Sequence, residues 1–450
     1  MIRYHARWVV PIADAPIAHA VVAVDRDRIA YVGPADGAPQ GDDVRLGDVV
    51  LMPGLVNAHC HLELTAMRGF LEDIDFRRWI LRLTNARRSV LDRDALLDSA
   101  RFGLEEGMLA GITSYADTSE SGVGVQAMRE AGVRGIVYQE VFGPDPKQCD
   151  ESIAGLREKV AGLRYLETPL VRVGVSPHAP YTVSDDLFRA TTALAREQHL
   201  PMAIHVAESD LEQRLVVDAS GSFADGLRRR GIAVDPRARS PIQLLDRLGV
   251  LDVAPLLIHC VRVSSEDIGR IAQTQAPVAH CPASNAKLGH GVAPLAEMLA
   301  AGVTVGLGSD SMASNNRMDM LEEARLALLS QRARLQSAEA PEAIDVLEMA
   351  TIGGARAIGI DDQIGTLEVG KQADLAAFAF APFHPIQDPV TSAVFSMTGA
   401  RATFVAVAGR VLVRGGQLVS PRAGLSERIQ QLGNALADWL EGGGEAAGVV

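Results

Sequence analysis

Pro53-Gly54-Leu55-Val56-Asn57-Ala58-His59-Cys60-His61 reads as a turn, a buried strand and a polar end. Pro53 and Gly54 punctuate the chain. Side chains alternate along a strand, so His59 and His61 share one face and Cys60 takes the other. Two imidazoles so spaced can hold one metal ion, or they can be two surface histidines beside a loop. The rest of the chain gives the pair its meaning. Further apolar stretches of strand length occur at 112–117, 134–141, 171–177, 202–206, 256–261, 277–281 and 303–309. Helical patterns lie between them, at 93–109, 184–197, 266–274 and 318–330. Continuous apolar strands alternating with helices predict a parallel sheet covered on both faces. With the opening strand they make eight units, which predict an α/β fold of the TIM (β/α)8 barrel type. No Gly-x-Gly-x-x-Gly follows the first strand, which argues against a dinucleotide-binding sheet.

The two ends of the chain have another texture. Short β-rich runs at 21–24, 28–32 and 49–51 return in kind at 373–380, 402–408 and 411–413. Short strands need partners, so a single small β-sandwich assembled from both ends is expected. The division is then 1–52 with 365–420 for the sandwich, 53–364 for the barrel, and 421–450 for a C-terminal helix (425–440) and tail. The net charge of −13 over 450 residues disfavours a nucleic-acid partner. Cys60, Cys149, Cys260 and Cys281 form no Cys-x-x-Cys pair, so a disulfide framework is not expected and a reducing cytoplasm is. No secretory leader or membrane span is read. The partner expected is a small molecule.

Reactive residues of such barrels collect at the C-terminal ends of the strands. Strand one ends in His59 and His61. Strand five ends in His205-Val206-Ala207-Glu208, strand six in His259, and strand eight runs out at Asp310. Each alone has a plain structural reading: a histidine satisfied in the core, or an aspartate capping the following helix. Together, at strands one, five, six and eight, they predict a metal centre.

Five stretches carry a resemblance: Pro53 to His61, Ser176-Pro177-His178-Ala179-Pro180-Tyr181, Ile204 to Glu208, His280-Cys281-Pro282-Ala283-Ser284-Asn285, and Gly308-Ser309-Asp310 with Ser314-Asn315-Asn316. Gly370 to Leu375 adds a sixth. On these the chain resembles the amidohydrolase superfamily from about 18 to 419, and most closely its branch of nucleoside-type deaminases and triazine hydrolases. Strand four has no Lys, which matches the one-metal pattern. The resemblance implies His59, His61, His205 and Asp310 as ligands of one divalent ion, Zn²⁺ by donor type with Fe²⁺ or Mn²⁺ as alternatives. It implies that Asp310 accepts a proton from the attacking water, His259 orients that water, and Glu208 protonates the ring nitrogen before ammonia leaves. It also implies a substrate contact for His178. His280 and Asn285 either line the pocket or brace the rim, and Ser314 is a further contact candidate.

The loop after strand one contains Arg68, Trp79 and Arg77, Arg78, Arg82, Arg87 and Arg88. Trp79 either stacks on a heterocycle or anchors the loop. Arg68 is read as a substrate-side candidate, and most of the others as a solvated helix face. The thioether-nucleoside deaminases of the branch carry a glutamate here, and no carboxylate stands between Trp79 and Arg88. The long connection after Glu208 looks more like the aminodeoxyfutalosine deaminases of menaquinone biosynthesis. The expected reaction is hydrolytic deamination of an aminated heterocycle, an adenine nucleoside such as aminodeoxyfutalosine. Alternatives are a methylthioadenosine/S-adenosylhomocysteine or other purine or pterin deaminase, a triazine chlorohydrolase, and a non-catalytic binding protein. The scaffold permits a homodimer, and no interface is readable.

Overall fold

The structure, a computed structural model, describes residues 1–444. Its centre is a barrel of eight strands: Leu55–His61, Ile112–Ser119, Arg134–Val141, Val171–Pro177, Ala203–Val206, Leu256–His259, Val278–His280 and Val305–Leu307. Strands one to four pair in order and in parallel, as do five to eight. Two seams join these halves. Between strands four and five, Val175 N–H donates to Pro201 O at 2.9 Å and His205 N–H to His178 O at 2.9 Å. Between eight and one, the short strand Asp310–Ser311 pairs with Cys60 and His61. There Asn57 donates to Ser309 Oγ at 2.8 Å and accepts Ser309 N–H at 3.0 Å. The second seam carries the chemistry, because it brings the ends of strands one and eight side by side.

The predicted helices form where their caps are. Asp92 accepts Ala95 N–H ahead of Arg93–Leu109, Ser184 accepts Leu187 N–H ahead of Asp185–Gln198, and Ser264 with Asp267 boxes the start of Ser265–Thr274. The helix expected at 318–330 runs Met320–Leu335, because Asp319 caps it through Leu321 and Glu322 N–H. Asp319 and not Asp310 does that work, which frees Asp310 for another role.

Both chain ends enter one eight-stranded sheet. Its middle strand, Asp42–Pro53, pairs in parallel with Ile2–Val9 and antiparallel with Leu375–Ala379. Tyr4 and Phe404 lie three strands apart in that sheet, which a flat sheet would hold roughly 14 Å apart. Their ring centroids are 4.8 Å apart. The sheet therefore curls over a core of its own, built from Tyr4, Val22, Leu51, Leu375, Phe404 and their neighbours. A buried ion pair, Arg134 Nε to Asp374 Oδ2 at 2.9 Å, fastens this sheet to the start of barrel strand three. The last helix, Leu425–Glu441, buries Leu425, Leu432 and Leu436. Of the tail expected at 442–450, residues 445–450 lie outside the described residues. Among the described residues no helix is long and apolar enough to cross a membrane, and all four cysteines are free.

Candidate active site

The strand ends open into a cavity of about 520 Å³, a usual size for a small-molecule site. His61, His205, Glu208, His259 and Asp310 line its floor, and His59 lies just beneath, 1% exposed. His61 Nε2 and His205 Nε2 stand 3.2 Å apart. Asp310 Oδ1 is 3.3 Å from His59 Nε2 and 3.6 Å from His61 Nε2. His205 Nδ1 lies 3.2 Å from the His178 carbonyl oxygen, which can only accept. The proton therefore sits on Nδ1 and the Nε2 lone pair faces the cavity. His59 Nε2 is buried with no hydrogen-bond partner. Burial pushes His59 down to about 4, lowers His61, and holds His205 well below the usual range. These imidazoles are neutral, the form that ligates. Converging imidazole nitrogens, one of them orphaned, with a carboxylate oxygen make a donor set that fits a divalent ion. Ligand atoms of His59, His61 and Asp310 all fall within 4.8 Å of one another, as do those of His59, His205 and His259.

Local backbone aims each group. Asp310 has φ +56°, His259 +78° and Ala207 +52°, left-handed values that cost non-glycine residues about 1–3 kcal/mol each and gather at functional sites. Gly308 precedes Asp310 because a Cβ there would stand 2.8 Å from His59 Cβ. Asp310 Oδ2 accepts from Ser284 Oγ at 2.6 Å and Ser314 Oγ at 2.7 Å, which turns Oδ1 to the histidines. Burial would raise the Asp310 carboxyl, yet the adjoining imidazoles, His59 first, hold it well below the usual range. The turn after strand five is pinned from outside: Glu212 accepts Ala207 N–H and Glu208 N–H, each at 2.9 Å. Glu208 Oε1 then lies 3.5 Å from His259 Nε2 and 3.3 Å from His290 Nε2. Burial works to raise Glu208, and His259 and His290 outweigh it, so its carboxyl stays below the ordinary value. Asn285 Oδ1 holds His259 Nδ1 at 3.0 Å.

A roof covers this floor. The helix Phe76–Val90, capped by Asp75, lays Phe76 and Trp79 along the cavity. Phe76 meets His290 edge-on at 4.4 Å and Phe223 at 6.2 Å. Phe223 in turn stacks on the cavity residue Tyr181 at 4.5 Å. Phe223 belongs to Gly221–Arg229, the long connection after strand five. Two arginines depart from the expected solvated face: Arg82, which is 8% exposed, and Arg87. Arg87 reaches down to Glu63 at 2.8 Å and across to Glu120 at 2.7 Å, and so fastens the roof helix to the barrel rim.

His59, His61, His205, His259, Glu208 and Asp310 are thus brought together, with Trp79 and His178 on the same cavity. Other sequence expectations need correction. Arg68 is not at the cavity; its guanidinium pairs with Glu106 on the outer helix, an acidic partner that the loop itself does not contain. Asn285 and Ser314 do not line the cavity; Asn285 Oδ1 is engaged by His259 and Ser314 Oγ by Asp310. His280 is buried away from the cavity, 1% exposed, with both ring nitrogens unpartnered. Sequence reasoning missed Glu63, Glu140 and His290. Glu63 lies two residues past His61, in the 3-10 turn Leu62–Met67 that leaves strand one, and Glu140 stands next to last in strand three, within the same strand-end rule that found the others. His290 comes five residues after Asn285 and carries no such signal.

The amidohydrolase family profile matches residues 50–412. The chain is 34% identical over 424 residues to a 5-methylthioadenosine/S-adenosylhomocysteine deaminase of Moorella thermoacetica, with 91% of this chain and 93% of that one covered. It is 34% identical over 404 residues to a 5′-deoxyadenosine deaminase of Methanothermobacter thermautotrophicus, with 88% and 90% covered. A crystallised adenosine deaminase of Xanthomonas campestris with bound zinc superposes with a TM-score of 0.87 at 29% identity, over 97% of this chain and 98% of that one.

Proposed function

Because this chain belongs to the amidohydrolase family, we propose that it is a metal-dependent hydrolytic deaminase of an adenine nucleoside derivative. The observation that carries the reading is Glu208. It is a buried carboxylate between His259 and His290, beside a histidine–aspartate donor set. His59, His61, His205 and Asp310 are the residues proposed to hold one divalent ion, Zn²⁺ by donor type. When bound, the ion supplies Lewis-acid activation of water near neutral pH.

The chain's own groups do the rest. Asp310 Oδ1 is free to accept a proton, since Oδ2 is held by Ser284 and Ser314. His259 donates Nδ1–H to Asn285, which fixes its ring with Nε2 facing Glu208 and the cavity. Glu208, ionised at rest, takes one proton from the attacking water and delivers it to the ring nitrogen next to the carbon under attack; the second proton, taken by Asp310, passes with its help to the amine, which leaves as ammonia. Phe76, Trp79 and Tyr181 give a flat ring an apolar wall.

The finer reading concerns the far end of the substrate. The relatives are named for thioether and deoxy nucleosides, while the stretch after Trp79 carries arginines and no carboxylate. Exposed Arg88 and Arg230 belong to the cavity lining. They favour a nucleoside with an acidic substituent, of which aminodeoxyfutalosine is the example, and with it a place in menaquinone biosynthesis. The unpaired cysteines are consistent with a cytoplasmic setting.

The test is ammonia release by zinc-loaded protein with adenosine, methylthioadenosine, S-adenosylhomocysteine, aminodeoxyfutalosine, guanine, cytosine and a chlorotriazine. Release from an adenine nucleoside, abolished by chelation, is expected. Chloride release alone, or protein without metal and without ammonia, overturns the reading.

A further inference from the structure

Glu140 stands next to last in barrel strand three and lines the cavity. It is 7% exposed, and its Oε1 has no hydrogen-bond partner. Buried carboxylates elsewhere around the barrel mouth are occupied. Glu63 accepts from Ser119 and Arg87, Glu212 from two backbone N–H groups, and Glu323 from Ala283 N–H and Asn315. Such orphans are rare in native proteins and ask for an explanation. His178, just past the end of strand four, faces this one, with its Nε2 4.0 Å from Glu140 Oε1. The neighbours of His178 fix its tautomer. Thr182 gives its one hydroxyl hydrogen to the Ala179 carbonyl at 3.2 Å, so its oxygen accepts from His178 Nδ1 at 2.7 Å. The ring proton is therefore on Nδ1, and Nε2 turns a lone pair towards Glu140.

At 4.0 Å the two atoms are too far apart to hydrogen-bond. They are not too far for one ion to bridge, since zinc bonds to imidazole nitrogen and carboxylate oxygen are each about 2.0–2.2 Å. The surroundings favour a cation. Burial, with Glu63 and Glu120 near, pushes the Glu140 carboxyl up against the pull of Arg87, so an entering cation displaces a proton, as it does at any protonated ligand. Ligand atoms of Glu140, His178 and His205 fall within 4.8 Å of one another. His205 is already engaged, because its Nδ1–H goes to the His178 carbonyl and its Nε2 faces His61. Two protein donors remain, with the other positions on the ion open to water. We propose that Glu140 and His178 form a second divalent-cation site, weaker than the four-residue site of His59, His61, His205 and Asp310. Both residues line the cavity, so a cation held there excludes substrate.

Zinc binding to the full chain tests the site without reference to any reaction. In equilibrium dialysis against rising free Zn²⁺, wild type should take up one tight equivalent and then a second. Glu140→Gln should keep the first and weaken the second by about 100-fold or more, beyond the 10- to 100-fold that losing an outer partner of a ligand costs. His178→Phe should do the same while keeping a ring against Phe142 and Tyr181. Asp310→Asn should do the reverse, losing the tight equivalent and retaining the weaker one. The two second-site variants approach the ion from opposite sides, so a folding failure in one leaves the other to decide. Saturation of wild type at one equivalent, or a second equivalent that survives both substitutions, overturns the site. A second arm rests on the deaminase reading. Excess zinc should raise KM for the nucleoside turned over, in proportion to its concentration and with kcat unchanged, and Glu140→Gln should abolish that inhibition. Inhibition that lowers kcat instead overturns the exclusion of substrate. If no nucleoside is turned over, the deaminase reading fails, and dialysis still decides on the second site.

Discussion

The floor and the roof of the cavity are held by different means. Floor residues hang from strand ends and are fixed by short contacts: Asn57 to Ser309, Glu212 to the Ala207–Glu208 backbone, and Ser284 and Ser314 to Asp310. Roof residues sit on a helix and a connection that lie outside the strands, and are held by side-chain pairings, as in Arg87 to Glu63 and Glu120, or Phe76 to Phe223 and His290. The floor's geometry comes from closing the barrel. The roof's comes from pairings that any loop could replace without disturbing a strand. A scaffold arranged in this way keeps its reaction while its substrate changes, and mutations in the two regions should fail in different currencies: kcat and metal below, KM above.

The largest effects are therefore expected on the floor. Asp310→Asn should lower kcat/KM by about 10⁴-fold or more, beyond the 10²–10⁴ that a general acid–base contributes, and metal per chain should fall with it. Glu208→Gln should lower kcat by about 10²- to 10⁴-fold while metal content stays at the wild-type level; near-normal turnover would remove Glu208 from the proton path. The same ligand set sets a pH limit. Burial lowers His59 to about 4, so protons compete for its lone pair only as the pH falls towards that value. Metal measured after equilibration at pH 7, 5.5 and 4 should be retained at the first two and lost towards the last. Release centred near the ordinary histidine value of about 6.5 would show that His59 is not the buried ligand proposed.

How much of this was legible tracks the same division. The eight strands, the capped helices and the meeting of His59, His61, His205, His259 and Asp310 could be read, because strand length, alternation and the strand-end rule are local in sequence. So could the joining of both chain ends in one sheet, from the texture of 21–32 and 402–413. Arg68 could not be placed, since its partner Glu106 lies 38 residues on, in another element. Arg87 reads as solvated for the same reason: nothing near it in sequence announces Glu63. Asn285 and Ser314 stand out as motif residues without their partners, because a motif shows that a side chain matters and not which way it faces. Glu140 was legible in principle. It stands next to last in its strand, as His205 does, yet a lone carboxylate carries no spacing signal, and only its unpaired oxygen singles it out.

A smaller effect tests whether support residues act only through what they hold. Asn285→Ala should leave the fold and the metal in place and free His259 Nδ1. Loss of such an orienting hydrogen bond costs about 10- to 100-fold at comparable sites. The loss should appear in kcat and leave KM near wild type, since Asn285 does not line the cavity. A KM effect as large as the kcat effect would make Asn285 a substrate contact after all.

The smallest effect on turnover is expected from the roof. Arg87→Ala unties the Phe76–Val90 helix from Glu63, whose side chain is 3% exposed. Breaking a buried ion pair from one side costs up to about 3–5 kcal/mol. Here Ser119 and Ser121 still donate to the Glu63 carboxylate, which puts the loss at the low end, about 3 kcal/mol. For a chain of 450 residues the conversion is about 1 °C per kcal/mol, so the melting temperature should drop by roughly 3 °C. KM should rise by about three- to tenfold, because Phe76 and Trp79 ride on the same helix, while kcat at saturation stays within about twofold. The double variant Arg87→Ala with Glu63→Gln separates the two consequences. Removing the stranded charge should recover most of the melting temperature and leave KM high, since the helix remains untied. If KM recovers with stability, the roof acts only by keeping the barrel folded. If instead kcat or metal content falls in either variant, floor and roof are one unit, and the division of labour between them does not hold.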